Sequence, residues 1–223
     1  IAYGERAADL ADRTGSPEAG AFERTNLAEL HLLLGRDAEA EELAVAAERT
    51  ARARAPRTLP YALTALARTR MTWNPAMAGA LLARAEGCAE ESGEQQARDE
   101  VRLARAELAL RTGRPEEALA LLDAGAVTPR GECVRGWALV RTGRAAEAVA
   151  LLEREAARAE RAGQYLLLVE ATTVLALALG LSGAPERADA LLADARDRAE
   201  ALPYPAGADR VRAARERLSA ARR

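Results

Sequence analysis

The side chains that most often do chemistry are few in this sequence. There is one histidine, His31, inside the apolar run Leu30-His31-Leu32-Leu33-Leu34. A lone imidazole cannot build a two-histidine metal site, and this setting predicts a core or boundary position. The two cysteines, Cys88 and Cys133, are far apart and have no CxxC neighbourhood, so they read as free thiols of a reducing cytoplasm. No GxSxG elbow and no phosphate-binding loop occurs, and Gly79, Gly87 and Gly93 are too scattered to cradle a phosphate. Acidic pairs such as Glu90-Glu91 and Glu116-Glu117 read as solvated faces and helix caps on helices rich in arginine. Asp194, Arg196, Asp197 and Arg198 read as surface ion pairs in the same way. The expectation is a chain without a catalytic centre, a metal or a cofactor.

The elements that hold these residues follow from composition. Alanine makes up about a quarter of the 223 residues, aromatics only 3%, and charged residues 30%. Such a chain suits close-packed helices and argues against a sandwich or barrel, which draws on aromatic and β-branched residues. The formal net charge is −2, with 32 basic side chains against 34 acidic, and every one of the 32 is arginine. That balance offers no basic field for a nucleic-acid backbone. The apolar runs are too short for a membrane span, and no signal peptide opens the sequence. The first residue is Ile1, which reads as the start of a piece cut from a longer protein.

A pattern recurs along the chain: a glycine, an alanine five residues on, and a leucine three residues further. It appears at Gly35, Gly113, Gly143 and Gly183, with a degenerate copy at Trp73. The steps between 35, 73, 113, 143 and 183 are 38, 40, 30 and 40 residues, the scale of a helix-pair solenoid. A glycine after a leucine-periodic run is a helix stop, and Pro115 and Pro185 two residues beyond are helix starts. Five residues after each hinge lie Ala40, Ala78, Ala118, Ala148 and Ala188. Seven residues before it lie Ala28, Ala106, Gly136 and Ala176, with Leu66 as the exception. Small residues at matched heights let helices approach closely.

The coarse assignment is twelve helices: 2–13, 17–34, 37–54, 58–72, 75–91, 94–112, 115–124, 129–142, 145–162, 164–182, 185–201 and 205–221. The seventh is short, ended by Gly125, with a turn over Val127-Thr128-Pro129-Arg130-Gly131. The last, with Arg210, Arg212, Arg215 and Arg217, reads as a solvated capping helix. The whole is predicted as all-α, an α-α superhelix of about six antiparallel helix pairs forming one domain over residues 1–223.

The hinge Gly-Arg-x-x-Glu-Ala-x-x-Leu-Leu at Gly113–Leu122 and Gly143–Leu152 resembles the tetratricopeptide repeat. The period here is nearer 40 than 34 residues, and the usual aromatic positions are missing. Alanine-rich arrays of this kind are similar to those of actinobacterial LuxR-type and maltose-activator-like transcriptional regulators. The resemblance implies first helices lining a concave groove. Transferring its register places Glu29, Arg70, Leu103, Glu107, Arg130, Cys133, Trp137, Val140, Glu170 and Thr173 there. Glu29, Arg70, Glu107, Arg130, Trp137 and Glu170 are the candidate binding residues: arginines to clamp carboxylates, and Trp137 either as an anchor or as packing between repeats. Trp73, at the degenerate hinge, is expected to pack. The resemblance implies a non-catalytic protein- or peptide-binding module of a bacterial regulator, whose partner is a protein or peptide segment or a neighbouring domain. Direct contact with nucleic acid or membrane is not expected. A groove that senses a metabolite or sugar, or a free-standing adaptor, are the alternatives; few aromatics disfavour sugar stacking.

Overall fold

The structure is a computed structural model that describes residues 1–125 and 128–221. It is all-α, with no strand among the described residues. The helices are α1 (Ala2–Thr14), α2 (Pro17–Leu33), α3 (Asp37–Arg54), α4 (Leu59–Arg70), α5 (Pro75–Ser92), α6 (Gln95–Arg111), α7 (Pro115–Asp123), α8 (Pro129–Arg141), α9 (Ala145–Arg161), α10 (Tyr165–Leu181), α11 (Pro185–Ala201) and α12 (Pro205–Ala221). A short 3₁₀ turn, Pro56–Thr58, leads into α4. The expected boundaries hold to within two residues, and the 3₁₀ turn accounts for the early start expected of α4. Of the turn expected after α7, Val127 lies outside the described residues.

Local chemistry explains the corners. Gly35, Gly113, Gly143 and Gly183 all take left-handed backbone angles, φ 67 to 87°, which a side chain would resist. The residue after the glycine then donates its N–H five residues back: Arg36 to the His31 carbonyl, Arg144 to Leu139 and Ala184 to Leu179, each at 2.9 Å. These bonds satisfy carbonyls that the helix end leaves open. Pro115 and Pro185 open the next helices, where a missing N–H costs nothing.

The corner between α4 and α5 is built differently. Residues 71–74 separate these helices, four residues where the glycine corners have three. No left-handed residue occurs in it. Asn74 turns the chain instead, its side-chain Oδ1 accepting from the Met77 N–H at 3.1 Å. Counted between the buried alanines, the step across this corner is one residue shorter, eleven positions from Ala67 to Ala78 against twelve from Ala28 to Ala40 and from Ala106 to Ala118, because α4 ends sooner. The fully buried small residue that matches Ala28 and Ala106 at a 39-residue step is Ala67, not Leu66.

The chain divides into two compact units, Ile1–Thr112 and Gly113–Arg223. In the first, each helix from α1 to α6 packs on the next. The alternate helices α2, α4 and α6 also touch directly, with α4 in the middle. No comparable contact joins α3 to α5. The first unit thus has an inner row, α2-α4-α6, and an outer row. The second unit repeats the plan, with α8, α10 and α12 as its inner row and α10 in the middle. Alanines make the close approaches: Ala40, Ala78, Ala118, Ala148 and Ala188 have no exposed surface. In the second unit Gly136 serves the same end, since a Cβ there would stand 2.8 Å from the Leu152 side chain. No helix among the described residues is long and apolar enough to cross a membrane.

Candidate interaction surface

The centre of the first inner row holds a buried ion. Arg68 on α4 is only 8% exposed. Its Nη1 donates to Glu29 on α2 and to Glu100 on α6, and its Nε donates to Glu107 on α6 at 3.0 Å. Desolvation opposes the charged guanidinium, yet Glu107, Glu29 and Glu100 outweigh it and hold its pKa well above the ordinary value. Glu29, Arg68 and Glu107 occupy equivalent places 39 residues apart, so one repeat position carries acid, base and acid across three neighbouring helices. One donor is left over: Nη2 of Arg68 is buried without a hydrogen-bond acceptor.

Two helical turns toward the N-termini of α2 and α4 the same face becomes aromatic. Phe22 and Tyr61 lie seven residues before Glu29 and Arg68, a spacing that returns to the same side of a helix. Their rings meet edge to face, with centroids 6.4 Å apart. The Tyr61 hydroxyl donates to Glu94, the N-cap residue of α6, at 3.5 Å. Burial first, then the charges of Glu94 and Glu100, push the Tyr61 pKa up.

The second inner row carries its polar group at one flank. Glu170 on α10 accepts from the Tyr204 hydroxyl and from Arg210 on α12. Tyr204 is buried, and burial followed by the Glu170 charge raises its pKa. Cys133 is buried as well, and desolvation raises its thiol pKa, with Glu170 adding to the effect. It is a free thiol, as is the half-buried Cys88. A shallow cavity of about 240 Å³ among α7, α8 and α9 is rimmed by Asp123, Arg135, Arg144 and Glu147. Those four side chains pair with each other, Arg135 with Asp123 and Arg144 with Glu147.

The sequence-derived groove residues thus fall into three groups. Glu29, Glu107 and Glu170 sit half-buried on the inner rows, each with an arginine partner, and Arg130 and Trp137 are half-buried on α8. Leu103, Cys133, Val140 and Thr173 are buried and belong to the core; the Thr173 hydroxyl bonds the Val169 carbonyl at 2.6 Å. Arg70 sits elsewhere. It grips Glu41 on α3, an outer helix, through Nε and Nη2 at 3.0 and 2.8 Å, and lies 5.8 Å from the Trp73 ring centroid. The residue of this helix that meets the inner-row glutamates is Arg68, two positions earlier. Trp73, expected to pack, is 61% exposed, with its indole N–H bonded to the Thr69 carbonyl. His31 is buried, as its apolar neighbours predict.

Sequence reasoning missed Arg68, Glu100, Tyr61 and Phe22. The signal was present in the 39-residue recurrence of Glu29, Arg68 and Glu107, and counting back from Trp73 hid it. Among the described residues, no group of three or more His, Cys, Asp or Glu side chains is placed to hold a metal ion. No protein-family model matches the chain, and no curated protein matches its sequence.

Proposed function

We propose that the chain is a non-catalytic, protein- or peptide-binding helical-repeat module of the tetratricopeptide kind. On this reading it is the interaction or signal-sensing region of a bacterial, cytoplasmic transcriptional regulator. The observation that carries the reading is the inner row. Three helices lie side by side in each unit, and their shared face carries half-buried charged groups already held in place by partners. Polar groups fixed before binding lose little side-chain entropy on contact, which favours recognition of an extended segment. The glycine corners and the acid-rich first turns after them support the tetratricopeptide likeness.

The test is selection from a random peptide display library against the whole chain. Enriched peptides should bind the purified protein with Kd near or below about 100 μM. Binding should fall about fivefold or more in Trp137→Ala or Glu170→Gln, or in Glu29→Gln, with an unchanged helical circular-dichroism spectrum. A library that yields no binder, or binders indifferent to all three substitutions, overturns the reading.

A further inference from the structure

The first inner row has a composition that points to a particular kind of segment. At the Arg68 cluster three carboxylates meet one guanidinium. Near the start of α6, Glu94 stands against the Tyr61 hydroxyl, and both Glu94 and Glu100 act on that phenol electrostatically. Phe22, 44% exposed, presents its ring beside Tyr61 on the same side of the row. An aromatic pair lined by carboxylates attracts a cation over a ring face through the quadrupole and through charge together. The second, independent feature is the unmet donor. Arg68 is more than nine-tenths buried inside this cluster, and its Nη2 has no acceptor. A partner suited to this face brings a cationic side chain and a carbonyl oxygen, and a peptide has both.

We propose that the inner face of α2, α4 and α6 seats an arginine-bearing peptide segment. The incoming guanidinium lies against Phe22 and Tyr61 and reaches Glu94 and Glu100. As the Glu100 carboxylate turns toward it, a main-chain carbonyl of the segment takes up a donor of Arg68. The aromatic pair and the Arg68 cluster are seven residues apart along the helices, about 10 Å at the helical rise. Three extended residues span that distance. The inference rests on the peptide-binding reading and gives it a charge: the preferred segment is basic.

The full chain is titrated, by fluorescence anisotropy at low salt, with three labelled probes. One is an octapeptide carrying two arginines in a Gly/Ser background, the second its glutamate counterpart, the third arginine amide alone. The basic peptide is expected to bind with Kd of about 10–100 μM, and the other two at least about tenfold more weakly. Phe22→Ala removes an exposed ring and Glu100→Gln removes one charge. Each should weaken the basic peptide about three- to tenfold while the thermal midpoint stays within a few degrees. Equal binding of the basic and acidic peptides, equal binding of arginine amide, or affinities unmoved by both substitutions overturns the proposal. If library-selected peptides bind through Trp137 and Glu170 while the basic octapeptide does not, this inference falls and the general reading stands. If no peptide of any charge binds, both fall.

Discussion

The two middle helices, α4 and α10, answer the same packing problem with opposite chemistry. Both are flanked by inner-row neighbours on two sides and backed by outer helices. Beside the matched, fully buried alanines, Ala67 in α4 and Ala176 in α10, the next position differs. In α4 it is Arg68, charged and ringed by three glutamates; in α10 it is Leu177, with no exposed surface. The second unit therefore demonstrates that this slot needs no ion to pack. A buried ion pair is rarely a net gain over a well-packed apolar group, because desolvation offsets most of the Coulomb attraction. The charge in α4 is better understood as fixing three glutamates on the inner face than as holding the helices together.

The sharpest way to break the comparison is to exchange the two chemistries. Leu177→Arg places a cation at a position that has no exposed surface. It should cost about 4 kcal/mol or more and remove amide-exchange protection from α10, read by urea titration and hydrogen exchange. The reverse change, Arg68→Leu, takes the shared guanidinium from three glutamates that are partly exposed, so its effect is relieved in part. A loss of about 2–4 kcal/mol is expected. Adding Glu29→Gln, Glu100→Gln and Glu107→Gln to Arg68→Leu should recover most of that loss in the urea midpoint. If the quadruple variant stays as unstable as the single one, the ion contributes more than positioning. A milder probe is Gly136→Ala in α8, whose new methyl meets Leu152. It should lower stability by about 1–3 kcal/mol, whereas Ala28→Gly at the matching place in α2 should cost about 1 kcal/mol.

The smallest effect is a pH dependence that is strongest in the second unit. Tyr204 and Cys133 have raised pKa values in the folded protein, so each binds its proton more tightly there than in the unfolded chain. Their contribution is complete below the unfolded values, near pH 8.5 for the thiol and 10 for the phenol, and is lost as pH rises above them. Thermal midpoints should therefore drop between about pH 9 and 11. Cys133→Ala with Tyr204→Phe should flatten that drop, while Tyr61→Phe in the first unit should leave most of it in place. An identical alkaline slope in the double variant would locate the sensitivity elsewhere.

This contrast also explains what was legible beforehand. Glycine corners write themselves into a sequence, because a left-handed backbone, a stop and a proline start each demand particular residue types. So did the fully buried alanines after each hinge. The buried arginine did not, because nothing in its own letters separates it from 31 other basic side chains. Its role depends on three glutamates from two other helices. The exposure of Trp73 was equally hidden: a large aromatic at a corner reads as packing unless the corner is known to turn without a left-handed glycine. The division into two units leaves no mark in composition, since both halves share the same alanine-rich grammar.

The glycine-free bend at residues 71–74 has a consequence for how such a chain can change over time. An added residue inside a helix would rotate everything after it by about 100° and misalign the buried surface. Here the mismatch is taken up at the joint instead: Ala67 to Ala78 is one position shorter than Ala28 to Ala40 or Ala106 to Ala118, yet all six alanines stay fully buried. Bends of this type work as slack in the ruler. Copies of the unit can gain or lose a residue there and drift in length while their mating surfaces stay matched, so contact geometry outlasts any fixed count of letters.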